Sequence, residues 1–391
     1  VIGLQMASAY VGSMFMPTVF GKLQEAAGIW IMPLYLAAFA TNTFAASGNT
    51  RNKGAQFPHY SQIKTIYVSA DNFDREFYNA LEEAEYGASN SVQYKIVLPQ
   101  GTFTQGHAYT IPSNTYVYAV GTTINTTGSR KSIFHGNMTH KTENIIVEGG
   151  TWSTLSQTYT GDSTCIRFTG VNNLMLKNVT VNVKRIGHII EVADINGFTM
   201  TGCTLSGNNL DTAKNPYNVQ PKEALQLDIA TKSAIPGYNT KASMYNGKGC
   251  HNVLITNNTF VNCGRGLGSH SGLKGAEKNP YTYITVKNNV IRNCIGEGIY
   301  GQNWKNTTIY GNTIQNCKQT GILIMQTRNV VVRSNRISQV RRYTGKRQKV
   351  YDPKKRYGCG ILIRQSKKYT VKSNRVTNVT RKKNKGIVKE S

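Results

Sequence analysis

From about residue 144 onward, apolar and polar positions alternate in short runs of strand length, and the runs recur as one phrase. Asn-Val-Leu-Ile-Thr-Asn-Asn-Thr-Phe-Val-Asn-Cys (252–263) returns as Tyr-Ile-Thr-Val-Lys-Asn-Asn-Val-Ile-Arg-Asn-Cys (283–294). It returns again as Asn-Thr-Thr-Ile-Tyr-Gly-Asn-Thr-Ile-Gln-Asn-Cys (306–317). Each phrase is two apolar strands around an Asn-rich turn, followed by a strand opened by Gly. Asn289, Asn312 and Asn335 mark the repeat at intervals of 23 residues. A fixed period of this size, with strands and no helices between them, predicts a solenoid of stacked coils. The fold class expected is all-β, a right-handed parallel β-helix.

Upstream the period changes. Thr65–Ser69 reads as a short strand, and Asp71–Glu85 carries Phe73, Phe77, Tyr78 and Leu81 at helical spacing with Asp71 or Asn72 as N-cap. A helix there would plug the open end of the solenoid and hide its sheet edges. Next comes Tyr-Lys-Ile-Val-Leu-Pro-Gln-Gly-Thr-Phe (94–103). This phrase after a capping helix resembles the first coil of the pectin-lyase-like superfamily, which includes polygalacturonases, pectate lyases and phage tailspikes. The resemblance runs over roughly residues 66–380 and implies the fold; superfolds host many activities.

Residues 1–21 and 26–46 are uncharged and apolar, each long enough to span a membrane. Gly-Leu-Gln-Met-Ala-Ser-Ala-Tyr-Val-Gly-Ser and Pro-Leu-Tyr-Leu-Ala-Ala-Phe resemble the last two helices of a major-facilitator transporter. The second run, ending Thr-Phe-Ala-Ala-Ser, also suits a signal peptide. Two helices cannot make a transporter, so residues 1–46 read as a membrane-directed leader or fusion remnant. Residues 47–65 read as a linker, 66–380 as the β-helix domain and 381–391 as a basic tail. The expected location is secreted or cell-surface, with membrane contact only through residues 1–46.

The formal charge is +27. Between Arg341 and Ser391, 18 Lys and Arg face two acids, Asp352 and Glu390, so +16 of the excess lies there. Such an end either concentrates an anionic polymer or is a solvated basic surface. None of the seven cysteines shows C-x-x-C spacing, which argues against zinc and redox motifs. Cys263, Cys294 and Cys317 each follow their anchor Asn by the same interval and should stack inside. Asn262, Asn293 and Asn316 should form an amide ladder between coils.

Candidate chemistry comes from aligning coils on the residue that opens the third strand: Gly187, Ala224, Gly266, Gly298, Gly321 and Gly360. Alternate residues after it are apolar and point inward; the others point outward. Four after the opener, the outward column reads Glu191, Asp228, His270, Gln302, Met325, Arg364, with Arg167 one coil earlier. Two after, it includes Gln226 and Tyr300. Insertions at 207–222, 230–250, 271–282 and 341–358 flank these strands and would wall a groove.

Asn209-Leu210-Asp211, Leu227-Asp228 and Ser269-His270-Ser271 follow in that order and resemble the N-T-D, D-D and G-H-G motifs of polygalacturonase-type glycoside hydrolases. The second motif has one Asp instead of two, Ser replaces the Gly residues around His, and no R-I-K follows. The resemblance implies Asp228 as general acid, Asp211 or Glu191 as the base that activates water, and His270 as a positioning group. Glu223 is a further candidate at the bend. Arg167, Lys222, Arg265 and Lys274 lie near enough to clamp a uronate or sulfate, beside Gln226, Tyr300 and Gln302 as substrate-binding groups.

The function expected is an extracellular glycoside hydrolase on a polysaccharide, neutral or anionic. The alternatives are a polysaccharide lyase, or a non-catalytic adhesin or tailspike-like binder. No cofactor or metal is implied, apart from calcium for a lyase. A nucleic-acid partner is not expected, since no aromatic groups alternate with base-reading ones.

Overall fold

The structure is a computed structural model that describes residues 53–127, 132–155, 164–210, 221–235, 240–269, 281–342, 357–381 and 383–390. The apolar leader expected at 1–46 lies outside them. Among the described residues, no helix is long and apolar enough to cross a membrane.

Among the described residues, successive strands fall in turn into three parallel sheets, one of eleven strands and two of ten, so each coil contributes one strand to each sheet. The first sheet holds Thr142–Glu148, Val171–Lys177, Asn196–Thr201, His251–Thr256, Tyr281–Lys287, Trp304–Tyr310 and Arg328–Arg333 among others. The second holds Thr259–Val261, Val290–Cys294, Thr313–Cys317 and Arg336–Ser338. The third holds Ile166–Thr169, Ile190–Ala193, Glu223–Asp228, Arg265–Ser269, Ile299–Gln302, Thr320–Met325 and Cys359–Arg364.

Asparagine makes the corners. Asn257 and Asn288 have φ near +55°, a left-handed conformation that Asn tolerates better than other side-chain-bearing residues. Gly311, Ser334 and Ser373 take that position in later coils. The buried Asn that follows each corner then bonds along the stack. Asn258 Nδ2 donates to Asn289 Oδ1 at 3.0 Å, Asn289 to Asn312 at 2.9 Å, and Asn312 to Asn335 at 2.9 Å. The outer ladder is present too: Asn316 Nδ2 donates to Asn293, and Asn293 to Asn262.

Between the sheets, like meets like. Leu176, Met200, Ile255, Val286, Ile309 and Val332 lie in register, all fully buried. Each such side chain contributes about 1.5–3 kcal/mol by leaving water. Cys294 and Cys317 pair in register in the interior, and all seven cysteines are buried and unbridged.

The capping helix, α1, spans Phe73–Gly87. Phe73 stacks on Phe103 at 4.3 Å and Phe77 meets Tyr109 at 4.4 Å, closing the first coil. Asn72 caps through its left-handed backbone without a side-chain bond. Tyr78, expected on the apolar face, is exposed; Ala80 and Ala84 complete that face.

Both edges of the solenoid differ from expectation. Residues 62–65, read as linker, belong to the strand Gln62–Tyr67, which pairs with Val92–Val97. Upstream of it the chain crosses the outside of the first sheet: Gln56 N donates to Asn173 Oδ1, and Tyr60 OH to Asn114 Oδ1. Residues 387–390, read as tail, form a strand in register with Ile361–Arg364.

Candidate functional site on the third sheet

The third sheet brings together most of the residues singled out from the sequence, in a different order. Ile190 pairs with Leu225 and Val192 with Leu227, so Glu191 sits beside Gln226 and Asp228 beside Ala193. The expected adjacency of Glu191 and Asp228 is therefore corrected by two residues. The reason is the core: with Gly187 opposite Ala224, His188 would occupy the interior position of Leu225. The two-residue shift keeps the faces and fills that place with Ile190. One coil earlier, Arg167 lies beside Glu191 as expected.

The outward column thus reads Arg167, Glu191, Gln226, Gly268, Tyr300, Leu323, Leu362. The next reads Ala193 and Asp228, then, further along, Gln302, Met325 and Arg364. Gly268 is required where it stands, since a Cβ there would lie 2.1 Å from the Tyr300 carbonyl oxygen. These outward positions were expected to line an open groove. Instead Glu191 is 2% exposed, Gln226 0%, Tyr300 1% and Asp228 6%.

Buried charge needs partners, and here the partners are arginines. Glu191 Oε2 accepts from Arg167 Nη2 at 2.6 Å, Arg167 Nε at 2.9 Å and Thr164 Oγ1 at 2.6 Å. Burial alone would raise the Glu191 carboxyl; Arg167, then His188, and the bonds from Thr164 and Arg167 reverse this and hold it below its ordinary value. Arg265 is clamped twice, by Glu297 Oε2 at 2.6 Å and Glu223 Oε1 at 3.1 Å. Its guanidinium also lies 4.7 Å from the Tyr300 ring centre. Burial would lower the Arg265 pKa, and Glu297 and then Glu223 leave it raised. His188 Nδ1 is 3.7 Å from Glu223 Oε2.

Sequence reasoning missed Glu297, which stands immediately before its opener, as Glu223 and Arg265 stand before theirs. That position, read down the coils, was the available signal.

Asp228 accepts from Gln226 Nε2 at 2.9 Å and from the Ile229 amide at 2.7 Å. Gln226 Oε1 is buried without a hydrogen-bond partner. Tyr300 OH donates to Gln302 Oε1, and Gln302 Nε2 to Gln326. Lys222 contributes its carbonyl oxygen to the Arg265 amide. Asp211, His270 and Lys274 lie outside the described residues, as do most of the insertions expected to wall the groove. Among the described residues, no group of three or more His, Cys, Asp or Glu is arranged to hold a metal ion.

Residues 239–389 match a protein family described as right handed beta helix region. Among solved structures, the Streptococcus pneumoniae surface protein and adhesin PfbA is similar at 17% identity, covering 84% of this chain and 100% of that one, with a TM-score of 0.58. A second structure of this pneumococcal adhesin gives 16%, 81%, 90% and 0.56. The Yersinia enterocolitica family 28 exopolygalacturonase gives 12%, 81%, 78% and 0.45. At these identities the likeness is one of fold. No curated protein matches the sequence.

Proposed function

We propose that this right-handed parallel β-helix is an extracellular or surface carbohydrate-binding protein of the adhesin kind, which holds a polysaccharide without cleaving it. The observation that carries the reading is how the carboxylates of the third sheet are used. Glu191, Glu223 and Glu297 are closed in buried pairs with Arg167 and Arg265, and both Asp228 oxygens accept hydrogen bonds. Inverting hydrolysis needs two carboxyls about 6.5–9.5 Å apart, one of them free to activate water; Glu191, the described candidate for that base, is held instead by Arg167 and Thr164. The pneumococcal neighbour is a surface protein and adhesin, which supports the reading, and so does the long surface a solenoid offers to a polymer.

The test is a panel of polysaccharides assayed for binding, for new reducing ends and for unsaturated uronates. Binding without either product is expected; turnover on any member refutes the reading. Hydrolysis remains the second reading, favoured by the outward placement of Asp228 and by the order of Asn209, Asp211, Asp228 and His270 in the chain. In it Asp228 is the general acid and Asp211 the base, and Asp228→Asn abolishes turnover while the fold survives. Under the binding reading that variant holds polysaccharide as the parent does.

A further inference from the structure

We infer that a linear glycan bearing a carboxylate or sulfate on its sugars binds along the solenoid axis at the corner between the third and first sheets, held by Lys305, Arg328 and Lys367. The inference rests on the glycan-binding reading above and adds a place and a chemical class. Lys305 lies in register with Arg328, and Arg328 with Lys367, on successive coils. They line a cleft of about 460 Å³ together with the amides of Asn303, Gln326 and Gln365.

Three like charges stacked one coil apart repel, and like charges facing each other across a sheet destabilise it. Elsewhere opposite charges stack in register, Arg167 with Glu191, Lys177 with Glu148 and Glu223 with Arg265; Arg333 with Lys372 and Arg336 with Arg375 stack like charges in pairs, whereas here three follow in succession. Among the described residues, no acid pairs with Lys305, Arg328 or Lys367. A bound polyanion supplies the missing counter-charge, and the column spans two coil steps, about 10 Å, which suits a polymer better than a single ion.

The neutral lining favours a sugar chain. Gln326 and Gln365 on the cleft continue a run of side-chain amides from Gln302 beside it, bonded at 3.0 and 3.3 Å, the kind of group that recognises hydroxyls. Trp304, the aromatic residue of the cleft, is fully buried. It offers no face on which a nucleic-acid base can stack.

The second sheet supplies a charge-matched control, since Arg292, Arg336 and Arg375 are exposed there and Arg336 stacks on Arg375. The full chain is assayed by calorimetry against heparin (sulfated), polygalacturonate (carboxylated), dextran (neutral) and duplex DNA. Binding of heparin or polygalacturonate that weakens with salt is expected. The Lys305→Gln/Arg328→Gln/Lys367→Gln variant should lose about tenfold or more in affinity. Arg292→Gln/Arg336→Gln/Arg375→Gln should stay within about twofold, with both variants melting like the parent; Arg328→Gln alone should give the same ranking. Equal losses in the two triple variants overturn the inference, as does DNA binding as tight as that of either polyanion. Binding of dextran but of neither polyanion removes the cleft and leaves the glycan-binding reading standing. Binding of none of the four removes both.

Discussion

Replacing Arg265 by Met tests whether the ion pairs of the third sheet are structural. Arg265 is 3% exposed, as is Glu297, and Glu223 is fully buried. The substitution keeps an apolar stem of similar length but leaves two carboxylates in the dry face of the sheet without their cation. Breaking a buried pair from one side costs about 3–5 kcal/mol, and the lost contact with Tyr300 adds to the upper end. The readout is the urea midpoint followed by circular dichroism, with hydrogen exchange to detect opening confined to coils 223–302, since neighbouring coils of a solenoid can open locally. The companion variant Arg265→Met/Glu223→Gln/Glu297→Met removes the charges together and should regain most of the loss, because an apolar replacement of a whole buried triad is often neutral or better. A single-variant loss below about 1 kcal/mol, the worth of an exposed pair, would refute the reasoning. So would a companion no more stable than the single variant.

Asn312→Ala removes the side-chain bonds to Asn335 Oδ1 and Val286 O and leaves the Asn289 amide without its acceptor; a loss of about 2–4 kcal/mol is expected, read by the same denaturation. His135 and His251 are held below their ordinary value of 6.5, chiefly by burial. The unfolded chain therefore takes up protons first as pH falls, and stability should decline from about pH 6.5 downward; a His135→Gln/His251→Gln variant should flatten that limb of the melting-temperature profile. Glu191, shifted down, stabilises above the ordinary carboxylate range, and that contribution is lost as pH falls through its folded value. Glu191→Gln should remove this more acidic limb. Burial pushes the Cys203 and Cys250 thiols up to about 12, and the other five are buried as well. An aromatic disulfide reagent should find no reactive thiol in the native protein and seven after unfolding.

The coil repeat was legible because it answers to two strict demands. Interior positions must be apolar at every coil, and each corner needs a residue that tolerates positive φ, so Asn257, Asn288 and their equivalents mark the period in the text. The outer face of the third sheet obeys neither demand. Its register turned on Ile190 and not on Gly187, and an error of two residues left the inward and outward faces intact, so the one sign of it was His188, which the Gly187 alignment sets at an interior position. Burial of Glu191 and Asp228 was hidden for a related reason: a polar outward residue reads the same in sequence whether it meets water or an arginine from the next coil. Arg167 illustrates this, since its position was legible and its commitment to Glu191 was not. The capping helix was found from Phe73, Phe77 and Leu81, while Tyr78 at compatible spacing went to solvent.

The asparagine ladder also bears on how such a chain changes length. Asn312 and Asn335 occupy equivalent places 23 residues apart, and Asn335 bonds onward to Asn374. Excising residues 313–335 would join Asn312 to Arg336 and set Asn312 directly beneath Asn374, with one strand gone from every sheet and the remaining corners undisturbed. Genetic duplication or loss of that unit thus stretches or shortens the rod in whole steps, adjusting how far its ends reach while the ends themselves stay the same.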